Sequence, residues 1–221
     1  MAIDPAEVAR LILAGQVPPA AWIPDILELR LERSYITDLR PLAALTALTH
    51  LHLTRSRISD VGSLASLARL QRLHLSFTAV RDLTPLAGMA ALGGCFLTGS
   101  LVNDVTPLAG LVKLARLDIG DTQVNDATPL AGLFNLRSLD LSGTRVSDLA
   151  PLAALTGLQY LDLTNTPVTD LSPLAGLTEL RWLITRGTKA TDLSVLSHLF
   201  GCQIVTVALA PRRRSDRFPP A

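Results

Sequence analysis

Residues 136–155 read LRSLDLSGTRVSDLAPLAAL, and residues 158–177 repeat the pattern as LQYLDLTNTPVTDLSPLAGL. The spacing between matching residues is 22, as between Asp148 and Asp170, and no insertion interrupts it in either direction. The aspartates that mark it are Asp38, Asp60, Asp82, Asp104, Asp126, Asp148, Asp170 and Asp192. A period of about 20 to 50 residues is typical of a solenoid, in which each unit buries its apolar face against its neighbours.

One unit contains a strand and a short helical segment. Residues 139–141 alternate apolar and polar, which is the two-residue period of a strand. In residues 148–155 the apolar positions recur every three or four residues, which is a helical spacing. Because equivalent strands stacked one unit apart must be parallel, we predict an α/β solenoid: a right-handed arc with a parallel β-sheet on its concave face and short helical or 3₁₀ segments on its convex face. We expect each recurring aspartate to cap the helical segment that follows it.

The chain divides into four predicted regions. These are a capping helix with a proline-rich lid at 1–24, eight 22-residue repeats at 25–201, a C-terminal capping strand at 202–210, and a basic tail at 211–221 that we expect to be disordered. The helix should begin at Asp4-Pro5, an N-cap followed by proline at the first helical position, and end at Gly15. The last strand is predicted to contain Ile204, Val205, Val207 and Leu209.

Composition excludes several classes of function. A formal net charge of +1 over 221 residues provides no global field, so binding to nucleic acid or to a membrane surface is not expected. No apolar run approaches the roughly 20 residues of a membrane span, and the first ten residues lack the layout of a secretory signal. Cys95 and Cys202 lie about five strands apart, or about 24 Å, which is too far for a disulfide. We therefore expect a cytoplasmic chain with two free thiols.

The pattern LxxLxLxxTxVxDLxPLxxL resembles the leucine-rich-repeat family, most closely its internalin-like branch with 22-residue repeats. The resemblance extends from Ile26 to Leu209. Where that family usually has asparagine, this chain has a hydroxyl residue, which we expect to make part of the same bonds between adjacent coils. These residues are Ser34, Ser56, Thr78, Ser100, Thr122, Thr144, Thr166 and Thr188. The resemblance implies a module that scaffolds or recognises proteins, and the Ala-, Leu- and Arg-rich composition favours a bacterial source.

Two sets of side chains should project from the concave face of the predicted sheet. The first set, between the two strand leucines, is Arg30, His52, His74, Phe96, Asp118, Asp140, Asp162, Ile184 and Thr206. The second set, two residues earlier, is Glu28, His50, Arg72, Gly94, Arg116, Ser138, Tyr160, Trp182 and Ile204. Equivalent positions lie side by side on neighbouring strands, so each set forms a column across the sheet.

The N-terminal part of these columns places three imidazoles together. His50, His52 and His74 would be enough ligands for a zinc ion with one open position, although a polar surface patch is the simpler interpretation. Phe96 follows on the next strand, after two glycines that indicate either a bulge or close approach by a partner. The metal site is therefore a weak hypothesis.

The middle part carries Asp118, Asp140 and Asp162 on three neighbouring strands. Like charges directly opposite one another are destabilising, and we expect solvent and the nearby Arg116 and Arg137 to reduce that cost. An open sheet offers little desolvation, so these carboxylates are not expected to act as catalysts. The two remaining interpretations are an acidic patch for a basic partner and a solvated face.

The C-terminal part combines Tyr160, Trp182, Ile184 and Ile204, with Arg181 and Arg186 at the margin. Exposed aromatic and aliphatic side chains beside arginine are typical of binding hot spots. An alternative is that the tail folds back over them through Phe218.

We predict a non-catalytic module, without a cofactor, that binds a protein partner on its concave face. The alternatives are the repeat part of a larger signalling or GTPase-type system and the histidine metal site.

Overall fold

The computed structural model describes residues 3–197, 199 and 201–206. Within them, one α-helix precedes a single parallel sheet of nine strands that follow one another in chain order. The strands are β1 (Glu28–Arg30), β2 (His50–His52), β3 (Arg72–His74), β4 (Gly94–Phe96), β5 (Arg116–Asp118), β6 (Ser138–Asp140), β7 (Tyr160–Asp162), β8 (Trp182–Ile184) and β9 (Gln203–Val205). This architecture confirms the predicted solenoid.

The segments that return from one strand to the next are 3₁₀ helices. They span Arg40–Ala44, Gly62–Ser66, Thr84–Leu86, Thr106–Leu108, Thr128–Leu130, Ala150–Leu152, Ser172–Gly176 and Ser194–Leu196, and a further one, Ile23–Asp25, precedes β1. In most of them proline is the second residue, where a missing N–H removes no helical hydrogen bond. The return segment of each unit is therefore a short 3₁₀ helix rather than an α-helix.

The recurring aspartates cap these segments, as predicted. In each of the eight units, Oδ1 of the aspartate accepts a hydrogen bond from the backbone N–H two residues later, at 2.7–2.9 Å. The hydrogen-bonded N–H belongs to the first residue of the 3₁₀ helix, which has no partner inside the helix. The aspartates thus fix the point at which each unit turns away from the sheet.

The core is a stack of leucines. The middle residue of each strand points inward and pairs with the middle residue of the next strand, as Leu139 does with Leu161. Both side chains are fully buried, as are the inward leucines of the 3₁₀ helices. Each inner unit is therefore covered by the units before and after it.

The last strand departs from the expected register. Trp182 pairs with Gln203 and Leu183 pairs with Ile204, so the final unit advances 21 residues instead of 22. Ile204 consequently occupies the inward position and packs against the core, and its predicted place beside Trp182 on the concave face is wrong. Likewise, Val205 rather than Thr206 follows Ile184 in the first column. The predicted strand residues Val207 and Leu209 lie outside the described residues, as does the basic tail.

The hydroxyl residues that replace asparagine were expected to bond between adjacent coils, and this expectation is wrong. In six units the hydroxyl instead donates to the carbonyl three residues earlier in its own coil, as Thr122 does to Ile119 at 2.6 Å. The hydroxyls of Ser56 and Ser100 are buried and have no hydrogen-bond partner among the described residues. Near these positions the backbone links adjacent coils, for example from the Gly143 N–H to the Thr164 carbonyl at 2.7 Å.

Helix α1 (Pro5–Leu13) covers the first coil. Oδ1 of Asp4 accepts a hydrogen bond from the Ala6 N–H at 2.9 Å, and Val8 and Ile12 are buried against the core. The chain leaves the helix through Gly15, whose φ of 74° suits a residue without a side chain. Among the described residues, no helix is both long and apolar enough to cross a lipid bilayer.

Replacing a stacked leucine should destabilise the arc strongly. We expect Leu139→Ala to lower the free energy of unfolding by about 2–5 kcal/mol, because its neighbours on both sides lose contacts and cannot collapse into the space. Val112→Ala is the matched control, since that side chain is exposed. Urea unfolding followed by circular dichroism measures both variants, and equal losses would contradict a core made only of stacked units.

Candidate functional site

The histidines on the N-terminal part of the concave face form a stack of rings. The His52 and His74 rings are parallel within 11°, with centroids 4.4 Å apart, and the Phe96 ring continues the stack 4.2 Å from His74. Imidazole lone pairs lie in the plane of the ring, so rings stacked face to face do not direct their nitrogens at one ion. Nδ1 of His50 lies 2.9 Å from the Thr49 hydroxyl. The described residues contain no group that could hold a metal ion, so the zinc hypothesis is not supported.

Burial keeps this stack largely uncharged. The pKa of His74 is lowered to about 4, mainly by desolvation and also by the neighbouring charges of His52 and Arg72. His52 is less buried and lies 3.4 Å from a carboxylate oxygen of Glu28 and 3.6 Å from one of Glu32. The sequence prediction missed Glu32, which follows β1 outside the two columns.

The three middle aspartates, which we call the acidic column, are buried rather than solvated. Asp118, Asp140 and Asp162 are only 8%, 1% and 2% exposed. Each accepts a hydrogen bond on Oδ1 from the N–H two residues later, in the turn that follows its strand, at 2.8–3.1 Å. The expectation of solvent relief is therefore wrong, and these carboxylates help to end their strands.

The electrostatics of the acidic column follow from that burial. Desolvation raises the pKa of Asp140 to about 7, and the charges of Asp118 and Asp162 on either side raise it as well. Hydrogen bonds from Ser142 act in the opposite direction but are weaker. Arg137 donates to the Gly157 carbonyl at 2.8 Å instead of lying over the carboxylates. The middle of the column therefore favours the protonated, uncharged form more strongly than an ordinary aspartate does.

The C-terminal part of the face keeps a smaller exposed patch than predicted. Trp182 is 38% exposed and Ile184 is half-buried, with Arg181 exposed at the margin. Tyr160 is 6% exposed, and its hydroxyl donates to Oδ2 of Asp162 at 3.5 Å, so the prediction that it forms an exposed hot spot is wrong. Phe218, proposed as a cover for this patch, lies outside the described residues.

Two family models match parts of the chain. The model described as "Leucine Rich repeats (2 copies)" matches residues 134–176, and the one described as "Leucine Rich repeat" matches residues 44–65. A search of curated proteins gives no match.

Solved structures resemble the whole arc. Internalin C2 from Listeria monocytogenes has a TM-score of 0.84 at 28% identity, over 90% of this chain and 92% of that one. An internalin (inlF) from the same organism has a TM-score of 0.73 at 26% identity, over 90% of this chain and 67% of that one. A leucine-rich-repeat protein from Leptospira interrogans shares the fold. Its TM-score is 0.73 at 18% identity, over 85% of this chain and 51% of that one. The chain is thus a leucine-rich-repeat protein similar to internalins, a kind of fold that generally serves protein interaction.

The buried acidic column should make stability depend on pH. The pKa of Asp140 is about 7 in the folded state, above the ordinary aspartate value of 3.8. Its contribution to stability is therefore fully present below about pH 4 and is lost as pH rises through 7. Asp140→Asn should raise the free energy of unfolding by about 1–3 kcal/mol at pH 8 and change it little at pH 4.5, since the amide oxygen can still accept the Ser142 N–H.

Asp126→Asn is the matched control, because hydrogen bonds from Thr128 lower the pKa of Asp126. A lowered pKa stabilises the fold above the unfolded value, so this variant should lose stability at pH 8 and lose less of it in acid. Urea unfolding at the two pH values gives all four differences. A change for Asp140→Asn that is independent of pH would show that its carboxyl is ionised throughout.

Proposed function

We propose that this leucine-rich-repeat chain is a non-catalytic module that binds a protein partner through the C-terminal part of its concave face. The observation that carries the proposal is Trp182. Among the described residues of the nine strands, it is the one large apolar side chain that is exposed. Because solvent exposure of an indole has a free-energy cost, an exposed tryptophan on a rigid sheet favours a role in binding.

The surroundings of Trp182 have the composition of a binding hot spot. Arg181 directly precedes β8 and Arg186 lies in the turn after it, and both are exposed. Ile184 lies two residues from Trp182 on the same face. Tryptophan and arginine are the residues most enriched where interfaces lose most affinity on truncation. The patch would bind an apolar side chain of the partner, with the arginines meeting polar groups at the margin.

The acidic column takes an indirect role in this proposal. Its carboxylates are too buried to contact a partner, but three acidic groups on neighbouring strands bias the middle of the face toward a negative potential. Such a potential favours partners with basic side chains beside the apolar anchor, chiefly through the association rate. Phe96, in the ring stack beyond the column, would form the far limit of the contact.

The proposal includes the setting of the protein. Both cysteines described are free thiols, with Cys95 buried and Cys202 half-buried, which suits a reducing compartment such as the cytoplasm. The similar structures come from Listeria and Leptospira, and they support a bacterial source.

Loss of the indole should remove the partner without unfolding the arc. The immobilised chain is used to capture a protein from a bacterial lysate. We expect Trp182→Ala to weaken this capture by at least about tenfold or to abolish it, since truncation of a hot-spot residue costs about 2 kcal/mol or more. Phe134→Ala is the control, because Phe134 is a more exposed aromatic residue outside the strands. Thermal unfolding verifies that both variants fold. Identical captured proteins from all three forms, identified by mass spectrometry, would reject the site.

A further inference from the structure

One position in every repeat has a left-handed backbone. It is the third residue after the last residue of each of strands β1 to β8, and φ there lies between 53° and 71°. The residues at this position are Arg33, Arg55, Phe77, Gly99, Asp121, Gly143, Asn165 and Gly187. Glycine, asparagine and aspartate adopt this conformation at little cost, whereas larger side chains are strained in it. The five C-terminal repeats use the tolerant residues. The three N-terminal repeats use arginine, arginine and phenylalanine.

Two arginines of this region lie over aromatic rings on the surface. The guanidinium carbon of Arg55 lies 4.9 Å from the centroid of the Phe77 ring. Two residues further along the chain, the guanidinium carbon of Arg57 lies 4.5 Å from the Tyr35 ring. Tyr35 is 78% exposed, and Phe77 is also exposed. We call Arg33, Tyr35, Arg55, Arg57 and Phe77 the N-terminal rim.

The arginines of the N-terminal rim have no ion-pair partner within the described residues, although all three are exposed. Stacking on a ring occupies the face of a guanidinium group and leaves its N–H groups free at the edge. Those N–H groups match the two oxygens of a carboxylate in bidentate geometry. The rim therefore holds two guanidinium groups, those of Arg55 and Arg57, over aromatic rings.

A cavity of about 340 Å³ adjoins the rim between the end of helix α1 and the first turn. Tyr35 forms one wall, and Ile12, Leu13 and Ile36 supply apolar surface. Asp38 also lines the cavity, but its carboxylate is already paired with Arg40 at 2.7 Å. The cavity thus accepts an apolar side chain directly beside the Arg57–Tyr35 pair.

We propose that the N-terminal rim binds an acidic peptide segment of a partner protein, with carboxylates on Arg55 and Arg57 and an apolar side chain in the cavity beside Tyr35. An apolar cavity next to a few arginines suits a peptide better than a nucleic acid, which binds through many phosphates along an extended basic surface. The net charge of +1 provides no such surface. This site lies in the turns after β1–β3, whereas Trp182 lies on β8, so the two surfaces are about five strands or 24 Å apart.

The test uses the full chain and a fluorescein-labelled peptide of six glutamates around one central leucine, with binding followed by fluorescence anisotropy. We expect saturable binding that weakens as salt is raised, and a loss of at least about tenfold in affinity in the Arg55→Ala/Arg57→Ala double variant, since two charge-assisted contacts are removed. Arg145→Ala is the matched control, because Arg145 occupies the same position as Arg57 four repeats later. It should change the affinity by less than about twofold, as expected of an exposed residue outside the site. Trp182→Ala should bind the peptide as well as the parent chain does, which separates this proposal from that for the concave face.

A second variant tests whether the strain serves binding. Phe77→Gly removes the unfavourable conformation, so it should keep or raise the midpoint of thermal unfolding while weakening the peptide about fivefold or more. A peptide with lysines in place of the glutamates, one with serine in place of the leucine, and a single-stranded DNA of the same charge complete the comparison. Equal affinity for the parent and the double variant would overturn the proposal. Preference for the DNA over the glutamate peptide, dependent on Arg55 and Arg57, would also overturn it and assign the rim to nucleic acid.

Discussion

The structure depends on the in-register stacking of its coils. Each inward leucine of the strands packs against its equivalents in the neighbouring coils, so the strands must align residue for residue, as Leu139 does with Leu161. The same alignment places the outward residues in columns, where neighbours contact each other whether the contact is favourable or not. The register of the core therefore determines which side chains contact each other on the concave face.

This constraint has opposite consequences along one column. Aromatic rings benefit from it: the His74 ring stacks on those of His52 and Phe96, with centroids 4.4 and 4.2 Å away. Carboxylates do not benefit, and Asp140 lies buried between two others. Desolvation favours the neutral form of either kind of group: it lowers the pKa of His74 to about 4 and raises that of Asp140 to about 7. The face is consequently less charged near neutral pH than its sequence implies.

The sequence predicted the features that depend on periodicity. The solenoid, the parallel sheet and the capping aspartates recur in every unit, so eight copies supplied the same signal. Burial across the concave face was not predictable, because it depends on how closely the side chains of adjacent coils approach, and Tyr160 and Asp162 were therefore misjudged. Ile204 was misplaced because the last unit is one residue shorter and has Cys202 where a leucine would mark the register.

The N-terminal rim lies outside the two strand columns from which the candidate site is predicted. The sequence nevertheless contains a pattern that marks it. From Phe77 onward, the left-handed position alternates between a residue with a side chain and a glycine. Each of these side chains lies over the glycine of the next coil. A Cβ added at Gly99 would stand 2.7 Å from Cδ1 of Phe77, and Asp121 and Asn165 crowd Gly143 and Gly187 in the same way. Arg33 and Arg55 precede this series without a glycine between them. Because nothing in the stacking of the core requires large residues there, and their backbone conformation has a free-energy cost, the irregularity is better explained by a surface selected for contact than by the stability of the arc.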